Sequence, residues 1–278
     1  MIARLLLTSA FIGVVMASNA LALNFKTELV VKHRGIVLAA VPADPEGDYD
    51  TKPLGLKEGL ENIAKALDII YAKSPFSASM LETLKQNGEV ILVYNPDHEA
   101  GKKDVFALAT FYPSFFKKNG ENGKSNQFLA AIGPHAVKWP AEELAMIIVH
   151  ELVGHGIQHL NGRLDYVRVL DLECAANLYS ENFYQDLGID KKSKDVVNFR
   201  KGLEERWCSD FKTYMRQKTP SQMALWDVID PDVPKLLDIF DAYADDLRKT
   251  GVSGKAIDAA KKLHREEKRK AQGNGHAE

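Results

Sequence analysis

The sequence predicts an α+β domain in which a small, mainly antiparallel sheet packs beside a pair of helices, with a helical C-terminal part. Three observations point there. The β-rich runs, 27–31, 36–41, 89–94, 105–112 and 127–133, all fall in the first half of the 278 residues. A strongly apolar helical run, 140–160, is followed after Asn161-Gly162 by a second, 164–187, that ends at Gly188. Beyond Pro220 the segments 233–248 and 253–270 keep helical periodicity. With 45% apolar residues, a chain of this length can bury one sizeable core.

Residues 1–22 read as a secretory signal peptide. Arg4 supplies a thin positive start, 5–17 is an apolar stretch too short to span a bilayer comfortably, and Ala20-Leu21-Ala22 is an A-x-A cleavage site. The expected product is periplasmic or secreted and has no membrane span after cleavage. Its main domain is 23–250, and 251–278 form a C-terminal helix and flexible tail. With 36 basic and 38 acidic residues the net charge is −2, which leaves no electrostatic footprint for nucleic acid.

In chain order, the first two β runs flank Lys32-His33-Arg34-Gly35, a hairpin signal that places His33 at the surface. The stretch 42–53, with Gly47 and three aspartates, is a loop. A helix over 56–72 follows, with Leu56, Leu60, Ile63, Leu67 and Ile70 at helical spacing, and then a shorter one over 77–85. The last two strand runs are separated by a polar, glycine- and asparagine-rich loop, 117–126, that could border a cleft. Pro140 opens the apolar helix at a favoured position, with Glu142 and Glu143 in its first turn.

The chemistry is concentrated in that helix, at His150-Glu151-Leu152-Val153-Gly154-His155. Two histidines with a glutamate directly after the first suggest imidazoles that hold one zinc ion and a carboxylate that takes a proton from water there. The common zinc-protease spacing, H-E-x-x-H, puts both histidines on one helix face; here there is one residue too many. A five-residue step leaves two side chains roughly 140° apart, against roughly 40° for four residues. A single π-bulge absorbs the extra residue, and Gly154 is where the helix would distort most easily. The alternative is a buried helix with ordinary core histidines.

His-Glu-Leu-Val-Gly-His-Gly resembles the H-E-x-x-G-H zinc motif of the dipeptidyl peptidase III metallopeptidases. The third ligand of that family is a glutamate in a Glu-Glu-Cys-Arg-Ala segment, and Leu172-Glu173-Cys174-Ala175-Ala176 resembles a shortened form of it. The likeness covers about two helices, and the short gap between the motifs is closer to thermolysin-like zinc peptidases (gluzincins). It implies a zincin-like fold and a zinc site of His150, His155 and Glu173. In such peptidases a strand ahead of the metal helix commonly forms the edge where an extended peptide docks. Phe128-Leu129-Ala130-Ala131-Ile132 holds that place, an ordinary buried strand being the alternative.

Helix rise supports the same third ligand. Measured from Gly162, His150 lies roughly 18 Å back, His155 roughly 10 Å back and Glu173 roughly 16 Å forward. Antiparallel packing then sets Glu173 level with the histidines. Glu151, His155 and His159 form a rival set that needs no bulge but discards the catalytic glutamate. Asn177 is a candidate hydrogen-bond acceptor for a ligand histidine, and His159 a further residue beside the site. Tyr166, seven residues before Glu173, is a candidate for steadying an oxyanion, with Tyr179 and Tyr184 as alternatives. Arg163 and Arg168 read as solvated surface arginines, with a substrate carboxylate as the other role. Cys174 and Cys208 suggest a disulfide in an oxidising compartment, or else two buried thiols.

The function expected is zinc-dependent hydrolysis of a peptide or protein substrate, with one ion and Glu151 as the general base. The alternatives are a zinc-binding, non-catalytic envelope protein and an amidase acting on cell-wall peptides.

Overall fold

The computed structural model describes residues 26–251 apart from 48, 50, 99–107, 114–125 and 227–229. The signal segment, the 253–270 helix, the tail and most of the 117–126 loop lie outside the described residues.

Strands β1 (Leu29–His33) and β2 (Ile36–Ala40) pair antiparallel as a hairpin. Arg34 and Gly35 form its turn at φ 50° and 79°, the mirror-type geometry that suits the twist of paired strands. His33 is tied down, with Nε2 2.9 Å from Asp68 Oδ1. Helices α1 (Leu56–Lys73) and α2 (Pro75–Asn87) share Ser74, which closes the first and caps the second by accepting from the Ser77 N–H. They carry the chain across one face of the sheet, so that β3 (Gly88–Tyr94) runs parallel to β2. Next come the short β4 (Ala109–Phe111) and β5 (Asn126–Ile132).

The architecture is mixed α/β, and the sheet order is β1-β2-β3-β5-β4. The expected mainly antiparallel sheet is corrected here. Antiparallel pairing holds at the two ends, β1 with β2 and β4 with β5, while β2–β3 and β3–β5 are parallel. Val90–Tyr94 and Phe128–Ile132 are continuous apolar runs, the pattern of strands covered on both faces. Of the two readings of 128–132, docking edge or ordinary buried strand, the buried strand holds. Phe128 to Ile132 lie in an interior strand between β3 and β4, and the edge nearest the helix of His150 and His155 is β4.

One face of the sheet, with Leu38, Leu92 and Phe128, packs on Ile63, Leu67, Ile148 and Leu152 in the main core. The other face carries a smaller cluster around Val37, Ile91 and Leu129. The apolar helical run is built from α3 (Ala141–Ile148), a π-helical turn (Val149–His155) and α4 (Gly156–Leu160). Gly162, at φ 67°, reverses the chain, and a short 3-10 turn leads to α5 (Val169–Asp186). Then follow α6 (Lys194–Gly202), a second π turn (Leu203–Trp207), α7 (Ser209–Lys218) and α8 (Val233–Lys249).

The second helix therefore begins at Val169 rather than 164, because Arg168 is extended. Its guanidinium grips the buried Asp171 at 2.5 and 2.9 Å, Asp210 at 2.6 Å and the Tyr243 hydroxyl at 3.0 Å. Arg163 pairs with Asp241 at 2.7 Å. Neither is a solvated surface arginine or a free carboxylate receptor: Arg168 clamps the start of α5 onto α8, and Arg163 clamps the 3-10 turn ahead of it onto the same helix.

Cys174 in α5 and Cys208, just ahead of α7, are joined in a disulfide with Cα atoms 4.9 Å apart. The 34-residue separation predicts about 3–4 kcal/mol of stabilisation from the constrained unfolded chain. Replacing both cysteines by Ala should lower the thermal midpoint by roughly 6–16 °C. A calorimetric scan in which the double variant melts with the wild type would refute this.

Candidate metal centre

The π turn solves the spacing problem that the motif poses. Its wider winding takes up one residue between His150 and His155, so both imidazoles reach the same side, with ring centroids 5.0 Å apart. Gly154 sits where this turn crosses α5. A Cβ placed there would stand 2.7 Å from both Cα and Cβ of Ala176. The missing side chain lets the two helices touch, and three residues before Ala176 that contact delivers Glu173.

His150 Nε2 lies 3.4 Å from Glu173 Oε2, and His155 Nε2 lies 3.6 Å from Glu173 Oε1. These separations are long for a direct hydrogen bond. They match two donors on one tetrahedral ion, which at zinc bond lengths stand about 3.4 Å apart. One donor atom from each of the three residues lies within 4.8 Å of the others, and among the described residues this is the group able to hold a metal ion. Two imidazoles and a carboxylate also fit zinc chemically.

The neighbours of His155 fix its tautomer. Gln158, buried on α4, donates from Nε2 to the Leu172 carbonyl at 2.6 Å. Its Oε1 therefore faces His155 Nδ1, at 3.0 Å, and can only accept. The ring proton is held on Nδ1, and the Nε2 lone pair is left toward Glu173. No motif marks Gln158; its only signal in the sequence is its place three residues after a ligand histidine.

Charge follows the same geometry. Burial drives the His150 pKa down, but Glu173 and then Glu151 outweigh it, and the net shift is upward. Burial drives Glu173 up, but His150 and His155 prevail and hold it below the ordinary carboxylate range. In the metal-free fold, the His150 contribution is fully present below the usual histidine pKa and is lost as pH rises through the raised value. The Glu173 contribution is present above the usual carboxylate pKa and is lost as pH falls through the lowered value. A metal needs His150 neutral, so metal affinity is predicted to fall as pH drops through the raised His150 value. Calorimetric zinc titrations near pH 7 in two buffers of different ionisation heat should show proton release. Identical heats would contradict the shift.

Glu151 stands beside these three residues, against the sheet edge. Its Oε2 accepts the Phe111 N–H of β4 at 2.8 Å. The neighbouring residues of this edge bond to the sheet, with Leu108 accepting from Gly133 N–H and Tyr112 donating to Leu129. By alternation, the Phe111 N–H faces outward to the helix. Two cavities meet at Glu151 and Ala109. One of about 260 Å³ reaches past His150 toward Asn177, Tyr184 and Phe199; one of about 290 Å³ passes His155, Glu173, Thr110 and Leu164.

Other candidates are placed differently. His159 packs against the rings of Phe111 and Phe128, so the set of Glu151, His155 and His159 does not assemble. Asn177 donates to the Glu173 carbonyl at 2.8 Å, bracing the ligand's own helix turn rather than a histidine. Tyr166 falls outside the helix that was to align it with Glu173, and its ring faces the Arg248 guanidinium at 5.7 Å. Tyr179 is stacked on Phe76. Tyr184, Phe199 and the backbone of β4 border the site instead. In comparisons with protein-family models, with curated proteins and with solved structures, no match to this chain was found.

Proposed function

We propose that this chain is an exported zinc peptidase of gluzincin type, with a zincin-like active-site helix pair and a zinc motif similar to that of dipeptidyl peptidase III. The observation that carries the reading is the convergence of His150, His155 and Glu173 beside Glu151 at a sheet edge. A bound zinc ion supplies a Lewis acid that polarises a carbonyl and acidifies water. His150, His155 and Glu173 would hold it, and Gln158 keeps His155 in the binding tautomer. Glu151 takes the water proton and passes it to the leaving amine nitrogen. The edge of β4 offers the outward backbone groups of Ala109, next to the Phe111 N–H that Glu151 holds, along which an extended peptide can lie.

The test uses the mature protein loaded with zinc and a mixture of unstructured peptides. Hydrolysis that stops with chelator, resumes with added zinc and is absent in His155→Ala together with the metal is the expected result. A zinc-loaded wild type that cuts no peptide, cell-wall peptides included, would overturn the enzyme reading and leave a metal-binding envelope protein.

A further inference from the structure

Resting on the peptidase reading, we propose that the cavity of about 260 Å³ is a subsite for one aromatic side chain of the peptide, next to the bond that is cut. Its volume lies below the range of about 300–1,000 Å³ typical of small-molecule sites and suits a single large residue. His150 and Glu151 form one end, so whatever fills it sits beside the reacting carbonyl. Leu108, Met146 and Ile147 make apolar walls. At the other end the rings of Tyr184 and Phe199 meet edge to face, 5.3 Å apart. That pair offers a third ring both an edge and a face at the usual aromatic spacing.

The polar groups in this cavity are few and placed in line. From Glu173, the residues Asn177, Ser180 and Tyr184 follow at helical spacing along one stripe of α5. Ser180 is spent on the Ala176 carbonyl. Asn177 is 7% exposed and its amide nitrogen is used on Glu173, yet its Oδ1 has no partner among the described residues. The Tyr184 hydroxyl has none there either. An apolar chamber with one accessible amide oxygen near Glu173 and one hydroxyl at the far end is arranged to orient a ring rather than to solvate a charge. Acidic side chains are disfavoured further, because no basic side chain lines the cavity to pair with them.

The experiment compares peptides that differ only at the residues flanking the scissile bond: Phe, Tyr, Leu, Gly or Glu. On one side of the bond, kcat/KM should be at least about 10-fold higher for Phe or Tyr than for Gly, and lowest for Glu. Phe199→Ala should reduce that preference, and Tyr184→Phe should reduce the discrimination between Tyr and Phe, with both variants checked for an unchanged melting curve. A flat profile, or a preference undiminished in both variants, overturns the subsite while leaving the peptidase intact. Should no peptide be cut, binding decides it. Phenylalaninamide should perturb the NMR signals of the metal-free protein where glycinamide does not, and equal effects of the two would overturn it.

Discussion

Replacing Glu151 by Gln is expected to leave zinc bound and to lower peptide turnover by about 10²–10⁴-fold, the range of a general acid–base group. The substitution isolates the proton-transfer role because the rest of the contact survives. Glu151 Oε2 holds the Phe111 N–H at 2.8 Å, and a glutamine oxygen can accept the same bond. The edge strand and the π turn therefore keep their relative position, and His150, His155 and Glu173 are untouched. An Ala at 151 would be a poorer test, since it also strands that N–H. A second consequence has a definite sign. The Glu151 charge helps to raise His150, so its loss lowers the His150 pKa and weakens proton competition for the metal. Zinc content should thus be equal to wild type, or better retained at mildly acidic pH. Wild-type turnover in Glu151→Gln with stoichiometric zinc would remove the proposed base.

Much of this centre was legible because it depends on local periodicity. His150 and His155 are five residues apart, which a regular α-helix cannot reconcile with one ion, and the structure places a π turn over Val149–His155. Glu173 could be reached by helix rise alone, because a short turn at Gly162 forces the two helices side by side. What the local pattern could not carry was pairing between distant segments. The place of 128–132 ahead of the His150 helix leaves docking edge and buried strand both open; its continuous apolar run is the mark of an interior strand, and β4, with three residues, gives little signal. Tyr166 failed for a similar reason. The helix register that aligned it with Glu173 assumes a start at 164, and the Arg168 clamp, made by Asp210 and Tyr243 far along the chain, delays that start to Val169. Gln158 went unread because its role lies in two contacts, one of them to the Leu172 carbonyl across the turn.

Gly154→Ala is the variant in which two physical effects oppose each other, and the geometry decides the sign. Helix propensity alone favours Ala over Gly by about 1 kcal/mol. Against this, the new methyl would stand 2.7 Å from the Cα of Ala176, a backbone atom that cannot rotate away. Relief requires α5 to move off the π turn, an overpacking cost of about 1–3 kcal/mol. The displacement reaches Glu173 directly, three residues along the same helix. Metal sites tolerate errors in ligand distance of only about 0.2 Å, so the affinity should fall by at least about 10-fold. Zinc titration and the melting curve of the metal-free protein separate the outcomes. A raised midpoint with wild-type affinity would mean that propensity wins and that the close contact is not what sets the site. Adding Ala176→Gly removes the methyl-to-methyl clash but leaves the Cα in place, so partial recovery of affinity is expected. That intermediate value would assign the loss to the distance between the helices, whereas no recovery would assign it to the winding of the π turn itself.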